Sequence, residues 1–213
     1  MISRLLVPYY RDDRPARRAE LDLCIAVNST VFDIVEVVEE GGTRQKFWDL
    51  MDLACHGAAE DELIVIANCD ILIPRPAMLE MAHSLKRDEA YCLARHEVGP
   101  GGVPKLYDVD FSQDLWAFRG PPRPMGDFFF GLPGCDNRFA HELQQAGYTV
   151  TNPSRSIQTI HVHASNLRTE TNTRKHRVPP PYLFISPTYL GETPKYRTVT
   201  GPKTEREYAQ LQG

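Results

Sequence analysis

The sequence predicts an α/β fold, a central sheet flanked by helices, and three observations carry that expectation. Between Arg4 and Arg95, apolar runs of strand length alternate with segments whose apolar residues recur at helical spacing. One run, Leu63 to Ala67, is continuously apolar, which suits a strand buried on both faces. That run ends abruptly in Asn68-Cys69-Asp70. Open α/β sheets bind ligands at the carboxyl ends of their strands, so the polar residues stand where a site is expected.

Taken in order, Arg4 to Tyr9 predicts the first strand, broken near its end by Pro8. Arg17 to Asn28 predicts a helix with Leu21, Cys24 and Ile25 on one face. Ile34 to Val38 reads as a second strand, and Arg44 to Ala59 as a second helix with Phe47, Leu50, Met51 and Ala54 aligned. After the Leu63 strand, Pro76 to Leu85 predicts a helix, with Pro76 tolerated in its first turn, and Ala90 to Arg95 a strand. From about Gly99 the texture changes to glycines, prolines and short aromatic runs. A regular half, 1–98, is therefore followed by an irregular half, 99–173. Within the latter, Asn137 to Ala146 predicts a helix opened by Asp136 and closed by Gly147. The last stretch, 174–213, holds Pro179, Pro180, Pro181, Pro187, Pro194 and Pro202 among Tyr182, Phe184, Tyr189 and Tyr196. It is expected to build no regular secondary structure of any length. It reads as an extension that wraps the domain, forms part of a lid, or stays a partly ordered tail.

At 213 residues the chain is long enough for one domain with a tail. With 24 basic and 28 acidic residues the net charge of −4 gives no argument for nucleic acid. Local basic clusters occur at Arg11, Arg14, Arg17 and Arg18, and at Arg168, Arg174, Lys175 and Arg177; for any single one of these residues solvated surface is the favoured reading. The N-terminal stretch turns polar too soon for a signal peptide or a membrane segment. Five cysteines without CxxC spacing fit reduced thiols, and the expected location is cytoplasmic.

Four groups of residues point to chemistry, each with a plainer reading beside it. Asp70 at a strand end is placed to hold a divalent metal against a phosphate, or simply to cap the next turn. Asp114 beside Trp116 offers a carboxylate and an apolar face, a way to grip sugar hydroxyls, or is another turn cap. Asp136 follows a loop containing Gly131, Pro133 and Gly134. It is either a helix N-cap, contributing about 1 kcal/mol, or a general base beside backbone that a substrate can approach. On a strand His161 and His163 share a face, as metal ligands do, or are incidental on an edge. Ser165 to Arg168 would add loop hydrogen bonds and a guanidinium facing phosphate.

Together these residues, over roughly 3 to 170, resemble a glycosyltransferase of the GT-A fold. That resemblance implies a single Rossmann-like domain, 1–173, with a mixed, mainly parallel central sheet, a nucleotide-binding half and an acceptor half. Asn68-Cys69-Asp70 matches the DxD motif of that family with its first Asp replaced. Asp70 is then the metal ligand for Mn2+ or Mg2+, and Asn68 a donor to sugar or ribose. Gly131 to Asn137 is similar to the glycine loop and acidic pair of inverting galactosyltransferases. The catalytic base falls on Asp136, the first acidic position is lost at Cys135, and Gly134 and Asn137 stand on the acceptor side. His161 or His163 completes the metal site. Pro8, Tyr9, Tyr10, Arg17 and Arg18 resemble the strand and helix that receive the nucleotide, with Asp114, Trp116 and Arg168 also toward the donor.

The implied activity is metal-dependent, inverting transfer of a sugar from a nucleotide-diphosphate sugar, a UDP-sugar first among them. The acceptor hydroxyl would belong to a glycan, a small molecule or a hydroxymethylated base of phage DNA. A metal-dependent hydrolase and a noncatalytic sugar-nucleotide-binding module are the alternatives.

Overall fold

The computed structural model describes residues 1–99, 101–165 and 177–201. Arg168, Arg174, Lys175 and Pro202 lie outside the described residues. In chain order the elements are β1 (Ser3–Tyr9), α1 (Pro15–Asn28), β2 (Ile34–Glu39), α2 (Phe47–Cys55), β3 (Leu63–Ala67), β4 (Ile71–Leu72), α3 (Arg75–Ser84) and β5 (Glu89–Leu93). There follow β6 (His96–Val98), β7 (Pro104–Leu106), β8 (Leu115–Arg119), α4 (Cys135–Gln145), β9 (Thr149–Thr151), β10 (Ile160–His161), β11 (Tyr182–Ile185) and β12 (Tyr196–Val199).

The central sheet has the order β2-β1-β3-β8-β5-β9 and is mixed: β8 runs antiparallel to both neighbours, and every other pair is parallel. Alternation along the strands divides the core into two layers. Leu5, Val7, Leu63 and Val65 face Leu21 of α1 and Met78 and Met81 of α3. Leu6, Ile64 and Ile66 face Phe47 and Leu50 of α2 and Phe139 and Leu143 of α4. A second sheet, β4-β10-β6-β7, and a β11-β12 hairpin complete the fold.

Pro8 is accommodated because β3 pairs with β1 only through Leu6, whereas Pro8 stands opposite Val38 of β2. Beyond Leu6 one edge of β1 needs no partner, which is where proline is tolerated. There the sheet opens into a cleft.

Three expectations are corrected. Trp116 does not offer an apolar face to a sugar: Leu115 to Phe118 form a central strand between β3 and β5, buried on both faces. Trp116 is only 1% exposed and lies edge-on to Phe47, Phe130 and Phe139. It is part of the core and does not face the cleft. The proline-rich stretch does build regular structure, since its proline-free segments 182–185 and 196–199 pair as a hairpin. Leu183 and Ile185 enter the same apolar layer as α2 and α4, and backbone bonds from Val178 to Pro133 and Ile185 to Asp110 fasten the segment. Finally, α4 starts at Cys135 with Gly134 as its N-cap, so Asp136 lies inside the first turn and caps nothing.

Because Ile185 is fully buried, Ile185→Ala is expected to lower unfolding free energy by about 2–5 kcal/mol in urea titrations. An unchanged midpoint would show that the hairpin is dispensable to the core.

Candidate active site

The register of the strands assembles the site at one end of the sheet. Ala67 of β3 stands opposite Leu115 of β8, and Leu93 of β5 opposite the same residue. The next positions outward are Asn68, Asp114 and the Ala94-Arg95 segment. In the second sheet His161 of β10 stands between Ile71 of β4 and Glu97 of β6. Asp70, just before β4, is therefore brought against His161.

The carboxylate of Asp70 accepts hydrogen bonds at Oδ2 from Arg17 Nη2 at 2.6 Å and His161 Nε2 at 3.1 Å. Burial alone would raise its pKa, but the bonds and charges of His161 and Arg17 prevail and hold it at about 2. His161 Nδ1 lies 2.8 Å from Glu97 Oε2. Burial pulls this imidazole down, yet Asp70 and Glu97 together raise it above its usual range. His163 differs. Its ring lies 5.2 Å from that of His161, its Nε2 is buried with no hydrogen-bond partner among the described residues, and burial with the nearby Arg17 lowers its pKa.

One ligand atom from each of Asp70, His161 and His163 lies within 4.8 Å of the others. A carboxylate oxygen with two imidazole nitrogens suits manganese, and an orphaned, neutral His163 has its lone pair available. The residues fit a divalent metal, with Glu97 orienting His161 from behind.

Arg17 is not a phosphate contact. It is 2% exposed, and its guanidinium is engaged by Asp70, Glu20, the Tyr10 hydroxyl and the Val162 carbonyl. It is the buried counter-ion of Asp70. Tyr9 bonds Asp22, and Arg18 bonds Asp13 and the Asp12 carbonyl; neither lines the cleft. Pro8, Tyr10, Asn68 and Asp70 do line it, with Arg11, Arg14, Arg44 and Arg95, around a volume of about 890 Å³.

Asn68 and Asp114 bond each other. Asn68 Nδ2 donates to Asp114 Oδ1 at 2.9 Å, and Arg95 Nη1 donates to Asp114 Oδ2 at 3.1 Å. Asp114 is buried, and its carboxylate is taken up by Asn68 and Arg95. Arg95, which sequence reasoning missed, also bonds Glu97 at 2.6 Å and lies 4.6 Å over the Tyr107 ring. A carboxylate at 68 would face buried Asp114, whereas the amide bridges to it.

Arg95 separates the large cleft from a smaller cavity of about 200 Å³, lined by Gly134, Asp136, Asn137 and Phe111 among others. Asp136 is half-buried there; the Cys135 thiol lies 3.1 Å from Oδ1. Burial, reinforced by Asp114, pushes its carboxyl up to about 6. Asn137 Nδ2 donates to the Phe111 carbonyl, leaving Oδ1 without a partner among the described residues. Gly134 has φ +82°, and a Cβ there would lie 2.9 Å from the Tyr182 hydroxyl, so the approach of hairpin to loop requires glycine.

The architecture is that of the GT-A glycosyltransferases. The chain is similar to a solved Drosophila β-1,4-galactosyltransferase 7 mutant in complex with manganese, UDP-Gal and xylobiose. The two superpose with a TM-score of 0.50 over 99% of each chain at 14% identity, a likeness of fold. No protein-family model and no curated protein matches the sequence. Among the described residues no helix is long and apolar enough to cross a membrane.

Asn68→Asp is expected to lower stability by about 1–3 kcal/mol at pH 8, through like-charge repulsion with Asp114. Repulsion raises the folded-state pKa of the pair above its unfolded value. The penalty therefore grows as pH rises past the carboxylate range and shrinks near pH 4. Thermal melts across that range check it; a pH-independent difference from wild type would contradict the contact.

Proposed function

We propose that this protein is a metal-dependent glycosyltransferase that moves a sugar from a nucleotide-diphosphate sugar to an acceptor hydroxyl with inversion. The observation that carries the reading is the pairing of two cavities across Arg95. One holds Asp70, His161 and His163, and the other holds a carboxylate tuned to about pH 6. The fold shared with a protein complexed with manganese, UDP-Gal and xylobiose supports a UDP-sugar as donor and a glycan as acceptor.

Asp70, His161 and His163 would hold manganese or magnesium, which when bound supplies a Lewis acid that offsets charge on the departing diphosphate. Pro8, Tyr10 and the arginines of the cleft receive the nucleotide. Asp136 takes the acceptor proton as the acceptor oxygen forms its bond to the anomeric carbon. The bond from that carbon to the diphosphate breaks, and its electron pair leaves on the diphosphate. A carboxylate with a pKa near 6 is ionised at neutral pH yet basic enough to be a useful base. Asn137 and Gly134 border the acceptor hydroxyl.

Asp136→Asn is expected to reduce turnover by about 10²- to 10⁴-fold while nucleotide-sugar binding survives. The wild-type rate should fall about tenfold per unit as pH drops below about 6, because only the ionised carboxylate accepts a proton. Nucleotide release from a panel of UDP-sugars, with the product's anomeric configuration read by NMR, tests both. Full turnover by the variant would remove Asp136 from the role, and release with water as the preferred acceptor would identify a hydrolase.

A further inference from the structure

The two oxygens of the Asp136 carboxylate are held differently. Oδ1 lies 3.1 Å from the Cys135 sulfur, within reach of an S–H donor. Oδ2 lies 3.5 Å from the Gln113 amide nitrogen, at the long limit of a hydrogen bond. The Gly131 backbone amide bonds the same sulfur from the glycine loop. With a donor already on the sulfur, the S–H is directed to Oδ1. Cys135 is 3% exposed, and burial with the adjacent carboxylate holds its thiol well above the usual range. It therefore keeps its proton at neutral pH and acts as a donor, not as a rival anion.

Burial pushes the Asp136 carboxyl up, and the bond from Cys135 is the strongest influence drawing it back. The other groups facing it supply no such donor. Asp114, on the approach to β8, is a carboxylate that opposes ionisation. Cys92 of β5 is a buried thiol, itself raised by burial and by Asp136. Arg95 is engaged by Asp114, Glu97 and the Tyr107 ring. The Tyr182 hydroxyl donates to the Val178 carbonyl, and Arg177 lines the same cavity from the chain before the hairpin.

We propose that Cys135 is the positioning residue of the base: its thiol holds Oδ1, favours the ionised carboxylate and leaves Oδ2 to take the acceptor proton. This rests on the reading of Asp136 as base and deepens it by assigning the oxygen that reacts. As the acceptor O–H bond breaks, its proton passes to Oδ2, while the S–H bond stays intact throughout.

The test sets Cys135→Ala and Cys135→Val, which have no donor, against Cys135→Ser, which keeps one. On the full chain the Asp136 carboxyl is titrated by carbon-13 NMR, its resonance assigned by its loss in Asp136→Asn. The Ala and Val variants should each raise the carboxyl pKa by about one unit, and Ser should return it to within about 0.3 unit of wild type. The acid limb of kcat/KM should move up equally, so the Ala and Val rates fall about fivefold at pH 6 and hardly change at pH 9. KM for the nucleotide sugar should hold, since Cys135 does not line the large cleft. An unmoved carboxyl in the Ala or Val variant, or equal shifts in all three, would overturn the proposal. The titration needs no turnover, so the two claims fail separately. A carboxyl that moves without the acid limb keeps the thiol contact and takes the base role from Asp136.

Discussion

A carboxylate largely withdrawn from water needs partners, and the organisation of this molecule follows from giving Asp70 its own. Isolated from water, that charge would cost several kcal/mol or be lost to protonation. It is answered by Arg17, which α1 brings across the open edge of β1, and by His161, which β10 delivers from the far end of the chain. The contacts then continue into a closed circuit. His161 meets Glu97, Glu97 meets Arg95, Arg95 meets Asp114, and Asp114 meets Asn68, two residues from Asp70 on the same strand end. Each member alternates in charge or hydrogen-bonding sense with its neighbours. Removing one leaves another buried and unmatched, which is why such networks hold a site rigid.

That circuit ties together the two sheets and sets the distance between the two cavities. Arg95 belongs to the circuit and also forms the wall between the metal-ligand cluster and Asp136. The two cavities are therefore not independent loops on a scaffold. They share one side chain whose position is fixed by a carboxylate on each side.

Much of this was legible in the sequence, and the reasons differ by residue. The LIVIA run followed by a polar triplet located the sheet centre and the cleft together, because a fully apolar strand has nowhere to place Asp70 except its end. The spacing of His161 and His163 was readable as a shared side, and the structure gathers both with Asp70. The role of Arg17 was not readable. An arginine in a basic cluster looks solvated, and only a contact spanning 53 positions makes it a counter-ion. Glu97 and Arg95 were missed for the same cause: a charge pair across strands leaves no local periodicity. Trp116 was misplaced by its neighbour Asp114, although LWAF obeys the rule that identified LIVIA. The prolines concealed the hairpin because they flank its strands rather than interrupt them.

The most direct measurement is the thermal shift given by UDP-, GDP-, CMP- and dTDP-sugars, with manganese or with a chelator, for wild type and His163→Ala. His163 is the informative position because its buried nitrogen has no hydrogen-bond partner among the described residues, so its loss should spare the fold. A ligand at a hundred times its Kd stabilises by about 2.7 kcal/mol, a readable shift. One nucleotide class should stabilise the wild type only when manganese is present, and His163→Ala should lose most of that shift. A shift that survives the chelator or the substitution, or none with any nucleotide sugar, would contradict a metal-held donor at Asp70, His161 and His163.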